Sequence, residues 1–179
     1  MEQVVLVDER DCALGYEEKI RVHRTGQLHR AFSIFIFNSA SELLLQKRAD
    51  SKYHSGGLWS NTCCGHPRPG ESVNAAAARR LHEEMGFSCD LQECSTFLYR
   101  AQLDHALIEN ELDHVLIGHF DGEPQPNPNE VSEFRWLNLD RLRDLIAADP
   151  DAFTYWLDAA LRQTEFLRTN CNHSQGARC

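Results

Sequence analysis

The sequence lacks any apolar run approaching the roughly 20 residues that an α-helix needs to cross a bilayer. Its N-terminal residues 1–10 carry only a short apolar patch flanked by acidic residues, without the basic start and the longer apolar stretch of a secretion signal. Internal repeats and low-complexity tracts are also missing. These absences argue against a membrane protein and a secreted protein, and we expect a cytoplasmic protein with no membrane partner.

Basic residues are too few for a nucleic-acid-binding surface. The chain has 18 Lys and Arg against 27 Asp and Glu, a formal net charge of -9, whereas binding to a phosphate backbone draws most of its energy from clustered Lys and Arg. We therefore expect no nucleic-acid partner. Any anionic ligand must meet a local basic pocket set in an acidic surface.

The cysteines are odd in number. In a reducing compartment, cysteines such as these seven are usually buried thiols, metal ligands or nucleophiles and not disulfide halves. At 179 residues the chain is long enough to bury a full hydrophobic core without disulfides. We expect a single domain over residues 1–168, followed by a polar, aperiodic and mobile tail over residues 169–179.

Strand and helix patterns alternate along the chain. Runs rich in β-branched and aromatic residues predict strands at residues 31–37, 43–47, 95–103, 112–120 and 133–137, the first two joined as a β-hairpin. Helical spacing predicts helices at residues 72–85, 139–147 and 152–167, of which the first has Ser72 as its cap and Gly86 at its end. The mixed order indicates an α/β fold of the α+β kind, a sandwich with a mixed central sheet.

Residues 48–69 show no period and are crowded with Ser, Gly, His, Trp and Cys. We predict a long loop there. Loops of that length are commonly functional.

A spaced series of glycine, acidic and basic residues begins at the end of this loop. In order, its members are Gly65, Glu71, Arg79, Arg80, Glu83, Glu84 and Gly86. The series resembles the Nudix box, except that Arg80 stands where the box has a glutamate. Nudix hydrolases gather several helical carboxylates around divalent ions, so a guanidinium weakens such a cluster, although it would serve as a bidentate clamp on a phosphate. The alternative is an ordinary amphipathic helix with exposed acids.

Three further motifs narrow the resemblance to the type I isopentenyl-diphosphate isomerases. They are WSNTCCGHP at residues 59–67, HRTGQLHRAFS at residues 23–33 and ENE at residues 109–111. The match runs from about residue 19 to about residue 156. It implies a Nudix-type α/β/α sandwich and an enzyme of isoprenoid biosynthesis that interconverts isopentenyl diphosphate and dimethylallyl diphosphate, a small-molecule isoprenoid diphosphate being its partner.

Three imidazoles and two carboxylates suit a five- or six-coordinate divalent ion. They are His23, His29, His66, Glu109 and Glu111. The two glutamates are two residues apart and would share one face of a strand. Taken singly, each His is more often a satisfied polar residue and each Glu a solvated one, and only the resemblance implies that the five meet. The ion could be Mn²⁺, Zn²⁺ or Mg²⁺.

The resemblance also implies the catalytic residues. It places Cys64 and Glu111 on opposite faces of the substrate as proton carriers, Tyr99 beside the glutamate, and Trp156 over the hydrocarbon, where the indole shields a carbocation. By pattern alone, Cys64 could be a small buried hydrophobe, Tyr99 a strand residue packed by its ring, and Trp156 a helix core residue.

Four basic residues match the diphosphate-binding positions of the family, namely Lys19, Arg48, Lys52 and Arg80. Glu84 matches the residue that holds Mg²⁺ on the diphosphate. Each basic residue alone would be read as a solvated charge. Two other functions stay open: a Nudix pyrophosphohydrolase acting on a diphosphate, and a catalytically silent diphosphate-binding module.

Overall fold

The computed structural model describes residues 2–52, 54–103 and 106–161. One mixed sheet contains the strands β1 (Gln3–Val7), β2 (Ala13–Glu18), β3 (His29–Phe37), β4 (Leu43–Arg48), β5 (Trp59–Ser60), β6 (Cys63–Gly65), β7 (Leu91–Gln102), β8 (Ile108–His119) and β9 (Val131–Leu137). The helices are α1 (Lys19–Thr25), α2 (Val73–Met85) and α3 (Leu139–Ala148). A 3₁₀ turn (Pro150–Ala152) and a helical segment at residues 155–161 follow.

Strand β3 organises the sheet. It pairs in parallel with β8 over its whole length, from His29 opposite Glu111 to Phe37 opposite His119, and antiparallel with β6. Strand β4 pairs with β9 and β5, and it meets β3 only at Leu43 opposite Phe37. The predicted hairpin is therefore confirmed in its two strands and in their antiparallel pairing, but this pairing is confined to the residues beside the turn. Every residue of β3 except one is buried, as expected of a strand covered on both faces, and its partners come from distant parts of the chain.

The two faces of the sheet are covered by different helices. Phe32 and Ile34 of β3 belong to the apolar cluster that includes α2. Phe35 and Phe37 point to the opposite face, into the cluster that contains α3 and the 155–161 segment. This layering confirms the predicted α/β/α sandwich.

Helix α2 confirms the prediction for residues 72–85. The Ser72 hydroxyl accepts a hydrogen bond from the Ala75 amide at 3.2 Å, and Gly86 ends the helix with φ 76°. A Cβ at Gly86 would lie 2.2 Å from the Gln125 carbonyl oxygen, so both the backbone angle and the space require glycine there.

The other predicted strands and helices are confirmed in part. Strands β7, β8 and β9 and helix α3 are confirmed, with the three strands beginning earlier than predicted. The predicted loop 48–69 is wrong where it contains β5 and β6, which are too short to show a period. The elements β1, β2 and α1 were not predicted. Helical structure begins at residue 155, not 152, and residues 162–167 and the predicted tail 169–179 lie outside the described residues. No helix in the described ranges is long and apolar enough to span a membrane.

Candidate active site and metal centre

A cavity of about 250 Å³ opens where β3, β6 and β8 meet the loop after β4. It is lined by all four predicted catalytic residues, Cys64, Tyr99, Glu111 and Trp156, and by all four predicted diphosphate-binding residues, Lys19, Arg48, Lys52 and Arg80. The register of the sheet explains why the two predicted proton carriers, Cys64 and Glu111, line the same cavity. Cys64 pairs with Ser33 on one side of β3, and Glu111 pairs with His29 on the other.

The five predicted metal ligands form one cluster, in which four residues are buried and His66 is half-buried. His23, His29, His66, Glu109 and Glu111 each offer one ligand atom, and these atoms lie within 4.8 Å of one another. The predicted common face of the two glutamates is confirmed on β8.

The ring orientations of two histidines suit a cation. His23 Nδ1 lies 2.7 Å from the Lys19 carbonyl oxygen, and His29 Nδ1 lies 2.9 Å from that of Gln27. A carbonyl only accepts, so both Nδ1 atoms carry the proton and both Nε2 atoms present lone pairs. Each Nε2 lies 3.3 Å from a carboxylate oxygen, of Glu109 and Glu111 respectively. Acceptors facing acceptors in a buried site fit a bound divalent ion.

The pKa values of the cluster also fit an ion. Burial, followed by the charge of Glu111, raises the pKa of Glu109 well above its usual range. Burial acts to raise the pKa of Glu111 too, but the adjacent imidazoles of His29 and His66 hold it well below its usual range. Burial lowers the pKa of His66 to about 3, so this imidazole is neutral. The opposite pKa shifts of the two neighbouring carboxyl groups, Glu109 and Glu111, indicate that the site disfavours two buried negative charges, which a divalent cation would neutralise.

The Cys64 thiol is held between two polar side chains. Its Sγ lies 3.0 Å from Asn61 Oδ1 and 3.8 Å from Ser33 Oγ, and the Ser33 hydroxyl donates to buried Asp113 at 2.7 Å. Burial, and then the nearby Asp113 carboxyl, raises the pKa of Cys64 to about 12. The thiol is therefore protonated at neutral pH.

Tyr99 is placed by strand pairing. It lies directly opposite Glu111 in the β7–β8 ladder, and its hydroxyl donates to Glu111 Oε2 at 2.5 Å. Burial and the neighbouring carboxylates raise the pKa of this phenol well above its usual range, so it stays a donor. The Tyr99 ring also stacks on Phe97 at 5.7 Å, so the residue packs by its ring and contacts Glu111 through its hydroxyl.

Trp156 closes one side of the cavity. Its indole Nε1 donates to Ser60 Oγ at 3.1 Å, the Arg48 guanidinium lies 5.5 Å from the ring centroid, and His54 meets the ring edge-on at 5.9 Å. The side chain is buried and also lines the cavity, so it packs as a core residue and lies where the predicted site role requires.

Three of the four basic residues are paired with carboxylates. Lys19 lies 3.3 Å from Glu2, Lys52 pairs with Glu130, and Arg80 lies 3.3 Å from Glu130. Arg80 also pairs with Glu84, which is buried on α2 and accepts from the Gln46 amide at 3.0 Å. The fourth, Arg48, donates to the carbonyl oxygen of His54 at 3.3 Å.

Sequence reasoning missed several residues that line or support the cavity, namely Glu2, Ser33, His54, Asn61 and Glu130. Ser33 and Asn61 lie inside motifs that were recognised, which is the only signal they gave. Nothing in the local pattern marks Glu2, His54 or Glu130, because their roles arise from tertiary contacts.

The chain is similar to known proteins in sequence and in fold. The NUDIX domain profile matches residues 27–157. The chain is 56% identical over 160 residues to Isopentenyl-diphosphate Delta-isomerase 1 of Aromatoleum aromaticum, covering 89% of this chain and 90% of that protein. It is 57% identical over 155 residues to Isopentenyl-diphosphate Delta-isomerase 2 of Photorhabdus laumondii, covering 87% and 88%. The crystal structure of DR0079 from Deinococcus radiodurans is similar with a TM-score of 0.75 at 24% identity, covering 90% of this chain and 98% of that one, a likeness of fold alone.

Proposed function

The chain belongs to the isopentenyl-diphosphate Delta-isomerases and to the NUDIX family, and from this we propose that it interconverts isopentenyl diphosphate and dimethylallyl diphosphate in isoprenoid biosynthesis. One observation carries the proposal: Cys64 and Glu111 line the same cavity, reached from opposite sides of β3. A thiol and a carboxylate in one cavity can act on the same substrate, one group donating a proton to one carbon and the other accepting a proton from another carbon.

The reaction requires two proton carriers. A proton is added to the terminal alkene carbon, a tertiary carbocation forms, and a proton leaves the carbon on the other side. An unactivated alkene is a feeble base, so one carrier must arrive protonated while the other is ionised. The raised pKa of Cys64 and the lowered pKa of Glu111 give such a pair. Each carrier ends the step in the other protonation state, which suits the reverse reaction.

Tyr99 and Trp156 support the carriers. The Tyr99 hydroxyl, hydrogen-bonded to Glu111, passes or steadies the proton on that carboxylate. The Trp156 indole lies over the hydrocarbon and keeps water from the carbocation, and a desolvated aromatic face offers a cation about 2 kcal/mol or more.

The diphosphate is held by the basic residues of the cavity. We assign this role to Lys19, Arg48, Lys52 and Arg80, each of which lines the cavity. Glu84 would hold Mg²⁺ on the diphosphate, where the ion would offset the charge of the phosphate oxygens. Phosphate oxygens would replace part of the carboxylate pairing that Lys52 and Arg80 now make with Glu130.

A second divalent ion belongs to the buried cluster. His23, His29, His66, Glu109 and Glu111 would hold it, and when bound it would neutralise the two carboxylates and keep Glu111 in place. Mn²⁺, Zn²⁺ and Mg²⁺ all suit imidazole and carboxylate ligands in this number. We place the enzyme in the cytoplasm, since its catalytic thiol must stay reduced and Cys64 and Cys63 are free thiols.

The pyrophosphohydrolase alternative is disfavoured by α2. Arg80 occupies the position of a box glutamate and pairs with Glu83 at 2.8 Å and with Glu84. This guanidinium neutralises helical carboxylates that a hydrolase would use for its metal ions. The hydrolase would also leave Cys64 without a use.

Solvent-label incorporation tests the proposal. The protein is incubated with isopentenyl diphosphate, Mg²⁺ and Mn²⁺ in heavy water, and the product is analysed by NMR and mass spectrometry. We expect dimethylallyl diphosphate carrying deuterium in a methyl group. Release of phosphate or pyrophosphate instead would indicate a hydrolase, and tight binding with no deuterium uptake would indicate a silent binding module.

A further inference from the structure

A fourth imidazole borders the metal cluster and has no role in the mechanism above. His54 lies in the loop between β4 and β5 and is buried, with 6% of its surface exposed. Its Nε2 lies 3.3 Å from Glu109 Oε1, and its ring stacks at 6.0 Å from that of His23. It is thus the only buried histidine outside the ligand set, among the residues described, that lies within 4 Å of a ligand carboxylate.

The two oxygens of Glu109 face different histidines. Oε2 lies 3.3 Å from Nε2 of His23, a member of the ligand cluster, whereas Oε1 lies 3.3 Å from Nε2 of His54. His54 is not one of the five residues whose ligand atoms gather within 4.8 Å. His54 therefore contacts a carboxylate of the cluster without belonging to the set of residues that would hold an ion.

The hydrogen-bonding capacity of His54 fits that place. Nδ1 lies 3.2 Å from the Ser55 hydroxyl, which can donate to it. With Nδ1 accepting, Nε2 carries the proton and can donate to Glu109 Oε1. A neutral imidazole then satisfies both of its nitrogens in a buried site, with no charge added to the cluster.

We propose that His54 is a positioning residue, which donates a hydrogen bond to Glu109 and fixes this carboxylate for binding the metal ion. The inference rests on the metal centre of the proposed function. Ligating carboxylates are commonly oriented by an outer hydrogen bond, and loss of such a partner typically weakens metal binding about 10–100-fold.

His54 also contacts Trp156 and Arg48, two other residues that line the cavity. The His54 ring meets Trp156 edge-on, with an interplanar angle of 82°, and its carbonyl oxygen accepts from the Arg48 guanidinium at 3.3 Å. His54 thus contacts the proposed metal ligand Glu109, the proposed diphosphate-binding residue Arg48 and the indole of Trp156. Replacement of the ring must therefore keep its volume if the metal effect is to be isolated.

Mn²⁺ affinity tests the inference without reference to activity. His54→Phe keeps an aromatic ring against Trp156 but cannot donate to Glu109, and His54→Leu provides a second apolar replacement. Free Mn²⁺ is measured by electron paramagnetic resonance during titration of each metal-free protein. We expect both variants to bind Mn²⁺ about tenfold or more weakly than the wild type. His54→Gln, whose amide can donate in the place of Nε2, should recover most of the loss.

His114→Gln is the matched control. His114 is also buried and lies between two acids, 2.7 Å from Glu93 and 3.2 Å from Asp11, but it contacts none of the five ligands. It should bind Mn²⁺ as the wild type does. Equal affinities of His54→Phe, His54→Leu and the wild type would overturn the role of His54 and leave the isomerase proposal standing. A wild type that binds no Mn²⁺ would overturn the inference together with the metal centre.

Discussion

The thiol of Cys64 faces the side-chain oxygen of Asn61 at 3.0 Å, and the amide can present no other atom to it. The Asn61 nitrogen is occupied by two backbone carbonyl oxygens, of Ile34 at 3.1 Å and of Cys63 at 3.0 Å. Because a carbonyl only accepts, the amide orientation is fixed and Oδ1 must accept the thiol proton. The S–H bond direction is therefore set by a side chain that is itself fully buried.

Replacement of Asn61 should cost both stability and rate. Asn61→Leu leaves the two carbonyl oxygens without their donor, and an unsatisfied buried group costs about 1–3 kcal/mol. It also frees the thiol to rotate, so we expect a lower kcat with little change in KM. Denaturant unfolding and steady-state kinetics measure the two effects. Ser60→Ala removes the hydroxyl that donates to Oδ1 at 3.0 Å and also the acceptor of the Trp156 indole, so its effect should combine the loss of both contacts. Wild-type kcat in Asn61→Leu would contradict the positioning role.

Removal of the Cys64 thiol should abolish isomerisation. Cys64→Ala and Cys64→Ser lose the proton carrier but leave the metal ligands and basic residues unchanged, so Mn²⁺ and diphosphate binding should persist. The matched control is Cys63→Ala, because Cys63 is fully buried in the apolar cluster under α2. That variant should unfold more readily and remain active. Full activity of Cys64→Ala in the deuterium assay would refute the mechanism.

Loss of the Tyr99 hydroxyl should slow the reaction without weakening substrate binding. Hydrogen bonds to charged groups contribute about 1.5–3 kcal/mol, and the bond from Tyr99 to Glu111 is one of these. If that contribution acts in the rate-limiting step, kcat of Tyr99→Phe falls by about 10–100-fold, with KM little changed. Tyr155→Phe removes the hydroxyl of an exposed tyrosine and should behave as the wild type. Equal kcat values for the two variants would exclude a role for the Tyr99 hydroxyl.

Local patterns sufficed for elements that local interactions define. The α2 helix was predictable because Ser72 and Gly86 act on their own turn of backbone. The common face of Glu109 and Glu111 was predictable because strand geometry fixes the side chains of residues two apart. That Cys64 and Glu111 line one cavity was not predictable from local patterns, since it depends on β6 and β8 pairing with opposite edges of β3. Only the family resemblance supplied that information.

The remaining features depend on contacts between residues far apart in the sequence, which local patterns do not indicate. The turn after β3 predicts the hairpin with β4, but nothing in the local pattern predicts that β3 is buried on both faces and pairs along its whole length with β8, which is far away in sequence. His54 gave no signal, because a histidine in an aperiodic loop is ordinary until a distant carboxylate lies 3.3 Å from it. Glu130 was missed for the same reason, as its contacts with Lys52 and Arg80 join separate parts of the chain.

Chelation should silence the enzyme and lower its thermal stability. Without an ion, Glu109 and Glu111 lie buried beside each other, and the raised pKa of Glu109 reflects that cost. Restoration should need Mg²⁺ for the diphosphate and a trace of Mn²⁺ or Zn²⁺ for the cluster. Activity and melting temperature are followed through chelation and metal return, with His66→Ala as a variant that should regain less of either. Full activity after exhaustive metal removal would contradict the metal centre.

Acid should weaken the fold partly through the ion pair between Glu71 and Arg79. Two hydrogen bonds of 2.8 Å from Arg79 lower the pKa of Glu71 from 4.5 to about 2. A carboxylate with a lowered pKa stabilises the fold fully above pH 4.5, and this stabilisation disappears as the pH falls towards 2. Glu71→Gln should therefore be less stable than the wild type at pH 7, with the difference shrinking between about pH 4.5 and 2. Urea unfolding at several pH values measures it, with exposed Glu123→Gln as the control. A difference independent of pH would show that the ion pair contributes nothing through the charge of Glu71.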